Sequence, residues 1–277
     1  MGSSGGPQKH SGGIVMKRLY VIKIGGNVID NSENLYNFLN DFASLDGYKI
    51  LIHGGGKLAT DLSHTLGIEP KMVEGRRITD IETLRVVTMV YAGLINKNIV
   101  AQLQRFECNA IGLTGADANL IRATRRPVKD IDYGFVGDLN SDSVDSQKLS
   151  ALLQTGVIPV FSAITHDGEG QLLNTNADTV SSSIAVAMAS LYEVSLVYCF
   201  EKKGVLQDVN NDDSIIREIS SSEFDSLKVD NIIAGGMLPK LENAFKAINS
   251  GVSEVYIGKS DELALLNEQL FGTRLFA

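Results

Sequence analysis

Twice in its first third the chain runs from a short apolar segment straight into consecutive glycines and then into a helix-spaced segment. Leu19-Tyr-Val-Ile-Lys-Ile gives way to Gly25-Gly26, and residues 48–52 give way to His53-Gly54-Gly55-Gly56-Lys57. Both apolar runs have the β-branched and aromatic content of a buried strand. Glycines at a strand's end leave bare backbone N–H groups that an anion can approach. A helix starting there adds roughly half a positive charge at its N-terminus. Lys23, inside the first strand, is costly to bury unless a partner neutralises it, and a phosphate would do so. The plainer alternative is a lysine that reaches solvent, followed by an ordinary turn.

The rest of the chain continues the alternation of strand and helix. Apolar spacing predicts a helix over 33–43 capped by Asp30 or Ser32, and another from 58 to 66 stopped by Gly67. Thr79 and Glu82 form a capping-box pattern that opens a long helix to about 106. Arg76 and Arg77, just before it, suit a carboxylate or phosphate clamp. A strand over 110–114 follows, then a β-hairpin from 119–126 and 133–139, and a helix over 146–155. A strand over 157–164 leads through a turn at 166–170 to Asn174-Thr-Asn176-Ala-Asp178, with Asp178 as the natural cap of a helix over 179–190. After a strand at 194–200 come an extended piece and small helix within 215–228. A glycine loop at 232–236 then opens a helix with Pro239 at its first position. Lys240 would sit in that helix's first turn, against the dipole, where an anion nearby would repay it. Strand, helix and strand over 252–257, 261–271 and 273–276 complete a three-layer αβα sandwich around a mostly parallel central sheet.

The bulk properties narrow the function. The 277 residues carry 33 acidic and 25 basic side chains, a net charge of −8, which argues against general nucleic-acid binding. Cys108 and Cys199 form no metal spacing, and the scattered His10, His53, His64 and His166 show no ligand pattern, so no protein-only metal site is expected. The two distant cysteines suit a reducing cytoplasm. No run of about 18 apolar residues stands out, so no membrane span is expected. Residues 1–15 are rich in glycine and serine and read as a tag or disordered leader, with the domain beginning at Met16. Gly54-x-Gly56-x-x-Ala59 fits the dinucleotide fingerprint loosely but follows a second strand rather than a first. A Walker A loop is absent, because Ser253 stands where the first glycine before Gly258-Lys259-Ser260 would be needed.

Lys23-Ile-Gly-Gly, His53-Gly-Gly-Gly, Arg77-Ile-Thr, Asn174-x-Asn176-Ala-Asp178 and Gly236-Met-x-x-Lys240 occur in that order. Together they resemble the amino-acid kinase superfamily. With Glu74-Gly-Arg-Arg-Ile-Thr and Leu173-Asn-Thr-Asn-Ala-Asp added, they resemble its N-acetylglutamate kinase family in particular. The likeness extends from Lys17 to Ala277. It implies ATP-dependent phosphorylation of the side-chain carboxylate of an N-acylated glutamate, in the second step of arginine biosynthesis. The acyl group, acetyl or succinyl, stays open. Other carboxylate or carbamate kinases, and a non-catalytic glutamate-derivative sensor, are the alternatives.

The resemblance implies a role for each motif. Lys23 and Lys240 would be catalytic, on the transferring phosphoryl group, with Asp178 holding both ammonium groups. Gly25 and Gly26 would meet ATP phosphates. Gly55 and Gly56 would bind the substrate through backbone N–H groups, and Arg77, Asn174 and Asn176 would complete its site. The nucleotide loop would comprise Glu201, Lys202, Lys203, Gly204, Val205 and Leu206, with Gly235, Gly236 and Met237 lining the same pocket. Mg²⁺ would arrive with ATP. An N-terminal lobe of about 16–190 would take the amino acid and a C-terminal lobe of about 191–277 the nucleotide. The family usually carries Asp where this chain has Glu201. Nothing between Met16 and Lys23 resembles the extra helix of its arginine-inhibited hexamers, which implies an arginine-insensitive homodimer.

The chemistry of the inventory agrees with this reading. A carboxylate with an ordinary pKa of about 4.3 is ionised at neutral pH and needs no base to attack phosphorus. Phosphoryl transfer needs positioning and positive charge, which lysines and a nucleotide-borne cation supply.

Overall fold

A computed structural model describes residues 16–73, 75–208, 211–229 and 237–277. Strand β1 (Arg18–Ile24) ends at Gly25, which precedes a one-turn helix α1 (Gly26–Ile29). Helix α2 (Ser32–Ser44) is capped by neither Asp30 nor Ser32: the Asn31 side chain accepts from the Glu33 and Asn34 amides. Strand β2 (Tyr48–His53) and helix α3 (Gly56–Thr65) follow as expected. Two short strands, β3 (Met72–Val73) and β4 (Arg76–Arg77), form an antiparallel pair.

Helix α4 (Ile81–Thr88) is capped by Asp80, which accepts from the Thr83 amide. Thr79, the cap expected from sequence, is instead buried with its backbone bonded to Tyr133 and Phe135. Residues Met89–Ile95 continue as a π-helix and Asn96–Arg105 as helix α5. By length and composition this 25-residue helix would also suit a membrane span. Here its Leu84, Val86, Val87, Val90 and Ile99 lie in the protein core.

Strand β5 (Ala110–Leu113) leads to a 3₁₀ turn at Asp117–Asn119. The expected long hairpin shrinks to β6 (Thr124–Arg125) paired with β7 (Gly137–Asp138). Its first flank, at 121–123, bonds instead to Ser143, Val144 and His166, and its second, at 133–136, mainly to Thr79 and Asn174. After α6 (Ser146–Gln154), the strand expected over 157–164 is split at Ala163 into β8 (Ile158–Ser162) and β9 (Ile164–His166). β9 turns back onto β10 (Leu172–Asn174).

Helix α7 (Ala177–Met188) is capped by Asn176, whose oxygen accepts from the Asp178 and Thr179 amides. Strand β11 (Glu193–Phe200), strand β12 (Glu218–Ser220), helix α8 (Ser221–Val229) and helix α9 (Leu238–Asn249) come next. Strand β13 (Glu254–Lys259), a 3₁₀ turn at Ser260–Leu266 in place of the expected longer helix, and β14 (Thr273–Phe276) close the chain.

Eight of these strands form one sheet in the order β12-β14-β13-β11-β1-β2-β8-β5, parallel except where β13 meets β14. Helices cover both faces. Alternation along β1 sends Leu19 and Val21 into a core shared with α7 and α9, and Tyr20 and Ile22 into one shared with α2, α4 and α5. Lys23 keeps the parity of Val21 and therefore emerges on the α7 face.

Candidate active site

The carboxyl ends of β1, β2 and β11 open on one cavity of about 630 Å³. Lys23, Gly25, Gly26, Gly55, Gly56, Arg77, Asn174, Asn176 and Asp178 all border it. Residues scattered over 150 positions of sequence thus meet where a parallel sheet conventionally binds ligands.

One group of charges gathers around Lys23. Lys23 Nζ stands 2.8 Å from Asp178 Oδ1, an ion pair that lacks the alignment of a hydrogen bond. The lysine is nearly buried and the aspartate half-exposed. Because Asn176 caps α7, the Asp178 carboxylate is released from capping and free to face Lys23. Phe200, at the end of β11 on the same face, lies under both lysines: Lys240 Nζ is 3.8 Å and Lys23 Nζ 5.6 Å from its ring centre. The ring's negative face attracts each cation and keeps the pair at its surface. Burial, opposed by Asp178, and then the charge of Lys23 hold the Lys240 ammonium below the ordinary lysine range, with Glu201 working the other way. Tyr198, one pleat back, is buried, and that burial, reinforced by Asp178, pushes its phenol up.

The glycine turn after β2 is clamped from both sides. Gly55 has φ of +152°, and a Cβ there would run into Ile95 Cδ1 and crowd the Tyr91 ring. Only glycine lets the π-helix approach the turn so closely. His53 is fully buried with its pKa depressed to about 4 by burial, so its ring is neutral. Nδ1 faces the Gly54 carbonyl at 2.9 Å and Nε2 faces Asn96 Nδ2 at 3.1 Å, which makes Nδ1–H the donor and Nε2 the acceptor. Asn96 also donates to Val160 O at 2.9 Å, tying turn, helix and sheet together. The amides at the start of α3 then open on the cavity.

Opposite stands Arg77, whose Nη2 donates to Gly56 O at 2.9 Å and Thr60 Oγ1 at 2.8 Å. Its Nη1 is enclosed with no protein partner. A buried guanidinium nitrogen without an acceptor is costly, and a ligand carboxylate would satisfy it. Asn174 donates from Nδ2 to Thr79 Oγ1 at 3.0 Å, fixing which way its amide faces.

The expected nucleotide loop does not border this cavity. Lys202 pairs with Asp212 at 3.0 Å and Lys203 with Asp213 at 3.5 Å. The Val205 amide is held by Thr273 Oγ1 at 2.8 Å, and Leu206 bridges Ile215. Glu201 reaches the site electrostatically through Lys240. Gly204 packs tightly on Thr273 and Ile215, and Met237 is half-buried against the core. Gly235, Gly236 and Glu74 lie outside the described residues. Sequence reasoning missed Phe200, Tyr91, Arg126 and Asp138. Phe200 and Tyr91 look like ordinary core aromatics in their strand and helix, and the other two look like surface charges. No group of three or more His, Cys, Asp and Glu side chains converges among the described residues.

The sequence matches the model of the amino acid kinase family over residues 18–259. A Bacteroides thetaiotaomicron protein named acetylglutamate kinase is 58% identical over 241 residues, 87% of this chain and 93% of its own. One of the same name from Cytophaga hutchinsonii is 58% identical over 265 residues, 95% and 100% of the two chains. Among solved structures, smu.665 from Streptococcus mutans UA159 superposes with a TM-score of 0.70 at 25% identity, covering 94% of this chain and 98% of that one.

Proposed function

The chain belongs to the amino acid kinase family, and on that footing we propose how the cavity carries out its reaction. The reaction is ATP-dependent phosphorylation of the side-chain carboxylate of N-acetyl-L-glutamate, a step of arginine biosynthesis. The observation that carries this reading is the polarity of the cavity. A paired lysine beside two glycines and an arginine with a spare N–H both border it.

Arg77 and Asn174 grip the α-carboxylate and amide, and the Gly55 and Gly56 amides at the start of α3 orient the molecule. The substrate's side-chain carboxylate is then directed toward Lys23. Already ionised, it attacks the γ-phosphorus without a base, and the bond from that phosphorus to the β–γ bridging oxygen breaks to release ADP. Lys23, held by Asp178, and Lys240, held on Phe200, neutralise the charge that spreads over the transferring oxygens. The Gly25 and Gly26 amides receive the remaining phosphate oxygens. Mg²⁺ carried in with ATP would offset part of the triphosphate's charge.

The nucleotide's far end extends beyond this cavity toward Glu201–Leu206 and Met237, over the half of the sheet formed by β11, β13, β14 and β12. The amino acid occupies the half formed by β2, β8 and β5. The protein works as a cytoplasmic homodimer. Exposed Met89 and Leu94 on the helix, and Ile111 on edge strand β5 beside it, supply the apolar interface. Its two cysteines are buried free thiols.

A hydroxamate assay tests the function directly. Acyl-phosphate formation from ATP and N-acetyl-L-glutamate is expected, with none from aspartate or carbamate. Product only from another acid would sink the reading. Tight acetylglutamate binding without any product would favour a sensor.

A further inference from the structure

Beside Gly56, two side-chain hydrogen-bond donors lack an acceptor among the described residues. One is Arg77 Nη1, enclosed and unpartnered. The other is the hydroxyl of Tyr91, a buried residue that borders the same cavity. A Cβ on Gly56 would stand 4.0 Å from both Tyr91 Oη and Arg77 Nη2, so hydroxyl and guanidinium flank the first residue of α3 together. Burial raises the pKa of the phenol while Arg77 works against it, and the group stays protonated at neutral pH. A phenol can accept from Arg77, but a guanidinium has no acceptor to offer the phenol's own proton. Among the described residues none takes that proton. The amides at the start of α3 add to the set, because its N-cap, Gly55, has no side chain to bond them. Donors alone converge here, the counterpart of a carboxylate, which only accepts.

The winding of the helix agrees. Tyr91 lies in the π segment Met89–Ile95, and π turns inside α-helices recur at functional sites. Its ring packs against Gly55, which fixes the direction of the hydroxyl. Phenylalanine would pack there equally well, so the oxygen needs its own reason. We propose that Tyr91 is a substrate-binding residue whose hydroxyl donates to the α-carboxylate of the acylglutamate, beside Arg77. This inference rests on the function proposed above and adds a donor to its substrate site. A carboxylate has two accepting oxygens and satisfies both donors. A carboxamide has one and turns N–H bonds toward the other donor.

The test compares N-acetyl-L-glutamate with its α-carboxamide, which keeps the carboxylate to be phosphorylated. The native enzyme is expected to prefer the α-carboxylate by roughly 100-fold or more in kcat/KM. Tyr91→Phe removes one oxygen and keeps the ring on Gly55. It is expected to raise KM for acetylglutamate about 10- to 100-fold, the worth of one hydrogen bond to a charged group. Its kcat and its KM for ATP are expected to stay within about threefold, and its preference for the carboxylate to fall about tenfold. An unchanged KM for acetylglutamate in Tyr91→Phe overturns the inference, and so does an equal loss on both compounds. Equal use of the two by the native enzyme overturns it even if the variant does not fold. In each of these cases turnover of acetylglutamate leaves the function standing. Absence of acyl phosphate from the native enzyme overturns both.

Discussion

Lys23, which borders the cavity, and Lys240, which does not, share the Phe200 ring and the charge of Asp178, and each behaves differently for physical reasons. Lys23 emerges from a strand and is locked by its ion pair. Lys240 stands in the first turn of a helix, against the dipole and over the Phe200 ring. Its ammonium, lowered chiefly by burial and also by Lys23, is the working form, so activity is lost as pH rises through its pKa. The alkaline limb of kcat/KM is therefore expected below the ordinary lysine value of 10.5. Lys240→Arg is expected to move that limb upward, whereas an unmoved limb assigns it to another group. At neutral pH, Lys240→Ala is expected to lower kcat about 100- to 1000-fold with little change in KM for acetylglutamate, measured by initial rates. Lys23 and Asp178 were legible in sequence because a charge in a strand and an acid at a helix start are both conspicuous. The cap itself was misassigned, since Asn176 and Asp178 fit the rule equally until geometry decides. Arg126 was illegible: in a polar stretch with several charges, nothing but the fold reveals which one faces a cavity.

Among the elements, the helix running from Ile81 to Arg105 does the most to shape the site. Its π segment, Met89–Ile95, winds more widely than an α-helix and so resets the direction in which Tyr91, Ile95 and Asn96 point. Two of them press on Gly55, and the third holds His53. Gly55→Ala would meet both a crowded Ile95 and an unfavourable φ, a combined cost of about 2–4 kcal/mol. Urea unfolding is expected to show that loss, together with a raised KM for acetylglutamate. Ile95→Ala in the Gly55→Ala background is expected to recover part of the stability, and strict additivity would show that the contact is unimportant. The Thr79–Glu82 capping pattern predicted a long helix here but carried no signal for a π turn, because the side chains on its inner face remain apolar in either winding. The 119–139 hairpin was overread for the opposite reason. Its residues favour extended backbone, but most of their partners lie outside it, at Thr79, Val144, His166 and Asn174.

For the whole molecule, the rhythm of strands, glycines and helices gave the layers and the mostly parallel sheet, whereas strand order depends on which surfaces pack and had no sequence signal. The exposed apolar residues beside edge strand β5 lead to an expectation at this scale. Leu94→Glu should shift the protein in light scattering from twice the chain mass to the chain mass, and an unchanged mass would remove that face from the dimer interface. The seating of β1 has a further consequence. One of its edges is taken by β2 almost at once, but the other pairs with β11, about 170 residues later. At synthesis rates of about 5–20 residues per second that is roughly 10–30 s during which an unpaired hydrogen-bonding edge flanked by Val21 and Ile22 has left the ribosome without its neighbour. The strand that supplies the reacting lysine is thus the one whose nascent form most needs shielding from association with other chains.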